Sequence, residues 1–179
     1  MATGAMNEVP QGAVFTFLQD ARTHGGAAVI RIDTHAASVF LAGAHAYKVK
    51  HAVSFPFLDY STLERRKAAC EAELEVNRRF APQLYRRVVA VTRAPNGQLA
   101  LGGNGPPVEW VVEMTRFDER QTLDHLAARG ELDADLAARL GAVVAATHAD
   151  APVAAGEPWI EAVAAYIEQN DAALRERPG

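Results

Sequence analysis

The stretch AAVIRIDTHAASVFLAGAHAYKVKHAV, residues 27–53, decides the fold class. It holds three runs rich in β-branched and apolar residues, 27–35, 37–43 and 46–53, and each run is typical of a β-strand. Only very short links separate the runs. Strands joined in this way pair antiparallel, because a parallel pair needs a crossover connection of about a dozen residues or more. The stretch therefore predicts an antiparallel meander.

The third run carries two lysines on one face. Successive side chains of a strand point to opposite faces, which places Tyr47 and Val49 on one side and Ala46, Lys48 and Lys50 on the other. Lysine is rare in this chain: of 18 basic residues, three are lysine and the other fifteen (18 − 3) are arginine. One interpretation of the lysine face is a solvated edge of the sheet. The other is a face that holds two ammonium groups over a binding site.

A long helix follows the meander. Ser61-Thr62-Leu63-Glu64 has the pattern of a capping box and predicts a helix that continues to about Phe80, with Pro82 just beyond its end. Glu73 lies at the edge of the helix's apolar stripe, which consists of Leu63, Cys70, Leu74 and Ala81. Because Cys70 lies on this stripe, we expect it to be a buried and unreactive thiol.

The remaining elements change from strands to helices near residue 118. The patterns predict a helix over 13–23, a hairpin formed by 87–93 and 98–103 around Pro95-Asn96-Gly97, a strand over 106–117, a helix capped by Asp133 or Asp135, and a last helix from Glu157-Pro158. We expect an α+β fold in three segments: an N-terminal helical segment over 1–25, a sheet-bearing region over 26–117, and helices over 118–179.

Composition excludes several classes of protein. The chain has 179 residues, of which 49% are apolar and 22% charged, as in ordinary globular domains. Its net charge of −4 argues against nucleic acid and acidic membrane surfaces as partners. We find no membrane span and no signal peptide, and the single cysteine allows no internal disulfide, so we expect a cytoplasmic protein. The arginine pairs Arg65-Arg66, Arg78-Arg79 and Arg86-Arg87 are expected to be solvated.

The order of the elements is that of a kinase N-lobe. In protein kinases the lysine of the third strand binds nucleotide phosphates and pairs with a glutamate of the following helix. Lys48 has a small residue, Ala46, two positions before it, and Glu73 is placed to be its partner. Lys50 lies on the same face and is the alternative. We prefer Lys48 because Ala46 suits a position that faces adenine.

Two consecutive segments carry a more specific resemblance. Residues 32–60, IDTHAASVFLAGAHAYKVKHAVSFPFLDY, and 61–85, STLERRKAACEAELEVNRRFAPQLY, resemble the start of a family of aminoglycoside phosphotransferase-like proteins. The resemblance covers roughly residues 14–150. It implies a protein-kinase-like fold, with a kinase-like N-lobe over 26–117 and the hinge-following helices of an incomplete C-lobe over 118–179. It also implies ATP-dependent phosphoryl transfer to a small molecule, with Mg²⁺ expected in full-length members. Those members often carry a C-terminal P-loop ATPase domain as well.

The resemblance also implies where a nucleotide would lie. The turn from Asp33 to Ser38 would cover the phosphates without a glycine-rich loop, using backbone N–H groups and the hydroxyls of Thr34 and Ser38. Backbone groups near Met114–Arg116 would bind adenine, and the alternative there is a core strand with no ligand. His35, His45 and His51 cluster around the meander, but they lack the shared face and the co-ligands of a zinc site, so we expect no metal.

One motif of the family is absent. Phosphoryl transfer needs an aspartate that orients the acceptor, which the family supplies from an H-G-D-x-x-x-x-N loop with a metal-binding D-x-[DE] downstream. No such loop occurs here, and Thr147-His148-Ala149-Asp150 resembles only the helix end that precedes it. We expect a truncated chain that is inactive alone. The alternative is a non-catalytic nucleotide-binding or protein-interaction module, whose exposed apolar helices would favour self-association.

Overall fold

The computed structural model describes residues 10–153 and 155–175. The strands are β1 (Val29–Asp33), β2 (Ala37–Ala42), β3 (His45–Lys50), β4 (Ser54–Phe55), β5 (Leu58–Asp59), β6 (Tyr85–Arg93), β7 (Leu99–Leu101) and β8 (Pro107–Thr115). The α-helices are α1 (Gln11–Gln19), α2 (Leu63–Phe80), α3 (Leu123–Ala128), α4 (Ala134–Ala149) and α5 (Glu157–Arg175). The short 3₁₀ turns Ala21–His24 and Glu119–Gln121 follow α1 and β8. The mixed α+β class is confirmed.

Six strands form one antiparallel sheet in the order β1-β2-β3-β8-β6-β7. The first three strands are the meander predicted from residues 27–53, and every neighbouring pair in the sheet is antiparallel. β3 is a central strand, with Lys48 opposite Val39 of β2 on one side and Val112 of β8 on the other. A separate hairpin of β4 and β5 follows β3. The lysine-bearing strand is therefore held on both edges, which rules out the solvated-edge interpretation.

The core lies between α1 and one face of the sheet. Val14 and Leu18 of α1 are fully buried against Phe40, Val49 and Val111 of β2, β3 and β8. Val14 and Leu18 are four positions apart, so they share one face of the helix. Each buried side chain of this size contributes about 1.5–3 kcal/mol. Because Val49 belongs to this core, the alternate residues of β3 must lie on the opposite face.

Helix α2 packs against β6 and β8. It has the bounds expected from the sequence, but its N-cap is Thr62, whose hydroxyl oxygen accepts from the Arg65 amide at 3.3 Å, and not Ser61. Cys70 is fully buried, as predicted, with Sγ 3.8 Å from the Trp110 carbonyl. Burial raises the pKa of this thiol to about 12, which keeps it protonated and unreactive.

The described residues separate into two compact units, one ending at Leu126 and one beginning at Ala127. The division falls later than the change near residue 118 seen in the sequence. In the second unit, Asp133 caps α4 by accepting from the Leu136 amide at 2.7 Å. Large apolar side chains of its two helices are exposed: Leu140, Val143, Val144, Trp159, Ile160 and Ile167. In the part of the chain that the structure describes, we find no helix with the length and apolarity needed to cross a membrane.

Candidate functional site

A cavity of about 470 Å³ lies on the face of the first unit's sheet opposite α1. Apolar side chains of β2, β3, β8 and the segment before β6 line it: Val39, Leu41, Ala46, Leu84 and Met114. Polar and charged residues lie at its margins: Thr34, Lys48, Lys50, Tyr60, Arg116 and Glu119. The predicted alternation of side chains between the two faces of the third strand is therefore confirmed. Ala46, Lys48 and Lys50 all line this cavity, while Val49 lies in the core.

Both lysines bind the same carboxylate. Lys48 Nζ lies 2.9 Å from Glu73 Oε1, and Lys50 Nζ contacts Glu73 Oε2. The predicted ion pair of Lys48 and Glu73 is thus present, and Lys50 shares it. Burial by itself would raise the pKa of Glu73, but the hydrogen bonds and charges of Lys50 and Lys48 outweigh it and hold that pKa below its ordinary value. With Glu73 ionised, two ammonium groups face one carboxylate, which leaves one positive charge at the cavity wall.

The turn between β1 and β2 differs from the prediction in one residue. Thr34 lines the cavity, although its hydroxyl is engaged in the turn itself, donating to the Ala37 carbonyl at 2.9 Å. Ser38 is fully buried and does not line the cavity. Its hydroxyl donates to Asp33 Oδ1 at 2.5 Å and lies 2.8 Å from His51 Nε2. The structure therefore does not bring Ser38 to the cavity, because its neighbours Ala37 and Val39 face the cavity and the alternation of the strand directs Ser38 to the other face.

The segment leaving β8 forms one end of the cavity. Met114, Arg116 and Phe117 line it. The Thr115 amide donates to the Leu84 carbonyl at 2.8 Å and the Arg116 amide to the Ala44 carbonyl at 2.9 Å, so these two N–H groups are occupied. Among the described residues we find no acceptor for the Phe117 amide. A ligand that reached this segment would therefore meet a free backbone donor at Phe117. This residue lies one position beyond the range Met114–Arg116 predicted from the sequence.

Glu119 supplies a polar group that the sequence did not single out. It lines the cavity, and its Oε1 is buried without a hydrogen-bond donor among the described residues. The nearest charge is Arg116 Nη2 at 3.7 Å. Glu119 lies in a polar stretch with no periodicity, so no pattern in the sequence marks it. An acceptor atom at a cavity wall that lacks a hydrogen-bond donor suits a ligand that carries a hydroxyl or an amino group.

A buried network at the end of the sheet was also missed. Arg66 is buried, and its Nε donates to both carboxylate oxygens of Glu109, at 2.9 and 3.0 Å. Gln11 Nε2 of α1 donates to Glu109 Oε2 at 2.8 Å. The expectation that Arg66 is solvated is therefore wrong, whereas the other five arginines of the three pairs are exposed. The available signal was spacing, because Arg66 is four residues before Cys70 and shares its buried face.

The three histidines of the meander lie in different environments. His35 packs on Phe55 with ring centroids 6.4 Å apart, His45 Nδ1 lies 3.2 Å from Glu113 Oε1, and His51 contacts Ser38. In the described ranges we find no group of three or more His, Cys, Asp or Glu residues arranged to hold a metal ion.

Comparison with known proteins leaves the family open. No family model and no solved structure matches the chain. Uncharacterized proteins of Mycobacterium bovis and of two strains of Mycobacterium tuberculosis are 36% identical to it over 98 residues. The matched stretch is 55% of this chain but 18% of each relative, so the chain spans less than a fifth of the relatives' length.

Proposed function

We propose that this chain is the N-terminal, nucleotide-binding part of an aminoglycoside phosphotransferase-like kinase, which transfers phosphate from ATP to a small molecule. The observation that carries the proposal is the pair of lysines sharing Glu73 at the wall of an apolar cavity. Lys48 would bind the phosphates of ATP and Glu73 would orient it.

The charge of this cluster favours a phosphate ligand. Lys48, Lys50 and Glu73 together leave one uncompensated positive charge in a partly buried position. Near a protein surface, opposite unit charges 4 Å apart attract by about 4 kcal/mol at an effective dielectric constant near 20. An anionic ligand gains this attraction, whereas a neutral ligand does not. Nucleotide phosphates are anions that a lysine side chain commonly binds.

The order of the strands supports a kinase-like arrangement. In protein kinases the phosphate-binding lysine lies on the third strand and its glutamate on the next helix. Here Lys48 lies on β3, Glu73 lies on α2, and β8 pairs with β3 on one edge and β6 on the other. Lys48 and the segment that follows β8 consequently line the same cavity. A nucleotide whose phosphates bind the lysine and whose base binds that segment requires this arrangement.

The opposite end of the cavity suits a planar base. A volume of about 470 Å³ falls within the roughly 300–1,000 Å³ of small-molecule sites. Ala46 and Met114 are apolar walls, the Phe117 amide is a free donor among the described residues, and Glu119 Oε1 accepts no hydrogen bond there although Arg116 lies 3.7 Å away. Adenosine needs this combination of an apolar slot with a few polar groups. We assign no catalytic residue and no Mg²⁺ ligand to this chain.

Titration of ATP into the isotopically labelled chain tests the proposal. We expect amide shifts centred on residues 34–50 and 111–117, with a dissociation constant in the millimolar range because we assign no Mg²⁺ ligand for the triphosphate among the described residues. Lys48→Met should abolish the shifts. Lys67→Met is the matched control, because Lys67 is the one remaining lysine and lies over the Trp110 ring, outside the cavity lining. Shifts centred on α4 and α5 would contradict the proposal.

A second candidate is a protein-interaction module without turnover. The observation that favours it is the set of exposed apolar side chains on α4 and α5, among them Trp159 and Ile160. Sedimentation of the purified chain separates the two candidates when it is combined with the ATP titration. Self-association without ATP binding favours the module, and ATP binding that depends on Lys48 favours the kinase part.

A further inference from the structure

The two lysines of β3 differ in how firmly they are held. The side chain of Lys50 is 8% exposed, its Nζ contacts Glu73 Oε2, and the same Nζ lies 5.5 Å from the centre of the Tyr60 ring. A cation at this distance from an aromatic face is attracted to it. The Lys50 carbonyl also accepts a hydrogen bond from Gln11 Nε2 at 2.8 Å. Both the backbone and the ammonium group of Lys50 therefore have fixed partners.

The side chain of Lys48 is held less firmly, although its backbone pairs with β2 and β8. Its side chain is 29% exposed, and its one hydrogen bond within the described residues goes to Glu73 Oε1 at 2.9 Å. An ammonium group has three N–H donors. Each ammonium group makes one hydrogen bond among the described residues, to Glu73. The Lys48 ammonium is the more exposed of the two and is open to a ligand in the cavity, while the Lys50 ammonium is nearly buried between a carboxylate and an aromatic ring.

We propose that Lys50 is a positioning residue: it neutralises Glu73, and so leaves Lys48 available for the phosphate of the nucleotide. This inference rests on the proposed function and assigns different roles to the two lysines. Without Lys50, both oxygens of Glu73 would face Lys48 alone, and the net charge of the cluster would fall from one positive to zero. A phosphate would then compete with a partly buried carboxylate for the only ammonium group.

This role can be tested by a second substitution that should restore ATP binding to a Lys50 variant. Lys50→Met should weaken ATP binding about tenfold, which is about 1.4 kcal/mol. Adding Glu73→Gln to Lys50→Met removes the competing carboxylate and should restore most of the affinity. Lys48→Met should lose binding, and Glu73→Gln should not restore it. If Glu73→Gln fails to rescue Lys50→Met, or rescues Lys48→Met, the assignment of the two roles is overturned.

A measurement on the unchanged chain does not depend on the stability of any variant. Carbon-13 signals of the two lysine side chains can be followed as ATP is added. We expect the Lys48 signals to shift and those of Lys50 to stay nearly constant. Larger shifts at Lys50 would overturn the proposal.

A third measurement separates failure of this inference from failure of the proposed function. The Glu73 carboxyl is titrated by carbon-13 NMR without nucleotide in the unchanged chain and in the two single lysine variants. We expect its pKa to rise in both variants, and further in Lys50→Met. A Glu73 pKa unchanged by Lys50→Met overturns the positioning role. If the unchanged chain binds no ATP, the proposed function and the phosphate role of Lys48 fall together, and the titration alone decides whether Lys50 is the main partner of Glu73.

Discussion

Charged residues of α2 belong to two groups that differ in burial. Arg66 is buried on Glu109, while Arg79 and Glu75 form an exposed pair at 3.4 Å on the same helix. An exposed pair adds little stability, because water screens it and two long side chains must be ordered. A buried pair whose partner is removed leaves an uncompensated charge inside the protein. The buried Arg66–Glu109 pair therefore holds α2 to the sheet more strongly than the exposed pair does, together with the pairs that Glu73 forms with β3.

Replacing Glu109 by alanine should reduce the free energy of unfolding by about 3–5 kcal/mol, because Arg66 stays buried without its partner. Glu75→Ala is the control on the exposed pair and should change stability by at most about 0.5 kcal/mol. Urea unfolding of both variants measures the difference. Equal effects would show that Arg66 reaches water when Glu109 is removed.

The lowered pKa of Glu73 predicts a dependence of stability on pH. A carboxyl whose pKa is lower in the folded state stabilises fully above its ordinary pKa of 4.5, and this contribution disappears as the pH falls through the lower, folded-state value. Glu73→Gln should thus be most destabilising at neutral pH, with a difference from the unchanged chain that shrinks below pH 4.5. Unfolding midpoints measured from about pH 3 to 7 test this. Glu71→Gln, at an exposed position on the same helix, is the matched control.

Among the secondary-structure elements, β3 has one face in the core and the other at the cavity. Val49 faces α1, and Lys48 and Lys50 face the cavity from the same six residues. Anything that shifts β3 against its neighbours by one residue would exchange these two faces. The packing of α1 on the back of the sheet consequently helps to keep the lysines at the cavity.

Replacing Leu18 by alanine tests whether α1 contributes to the stability of the unit that contains the sheet. Leu18 is fully buried, so Leu18→Ala should cost about 2–5 kcal/mol. Gln19→Ala, at an exposed neighbouring position, should stay within about 0.5 kcal/mol. Thermal unfolding followed by circular dichroism compares the two. A small loss for Leu18→Ala would mean that α1 contributes little to the core.

In the molecule as a whole, nucleotide binding and phosphoryl transfer require different residues. The first unit holds the cavity, the two lysines and Glu73, but the 179 residues contain no H-G-D-x-x-x-x-N loop. The charged groups of phosphoryl transfer are each able to change the rate by ~10³ or more. Under the proposed function, the chain binds nucleotide through Lys48 but does not turn it over, because it has no such loop.

We therefore expect no ATP hydrolysis by the purified chain above the background rate. Release of inorganic phosphate, measured with and without Mg²⁺, tests this expectation. Lys48→Met is the matched control, because any contaminating ATPase activity would be the same in both preparations. Turnover that disappears in Lys48→Met would show that the chain carries a catalytic group we have not identified.

Local sequence patterns were sufficient to predict most elements and the faces of β3 and α2 that form the site. The alternation around Tyr47 and Val49 placed Lys48 and Lys50 on one side of β3, and the position of Glu73 beside the apolar stripe of α2 predicted its partner. Both inferences rest on local geometry, because side chains repeat every 2 residues in a strand and every 3.6 in a helix whatever the rest of the fold does. Short links likewise determined the antiparallel meander.

Which face of each element is covered, and by which residues, depends on packing between segments that are distant in sequence. Ser38 and Arg66 have polar side chains that the sequence assigned to a ligand and to solvent, yet both are buried on partners supplied by other segments. The sharing of Glu73 by two lysines is also a property of packing, since it depends on how far α2 lies from β3. Burial of a polar group requires a partner, and partners distant in sequence meet only when the fold is complete.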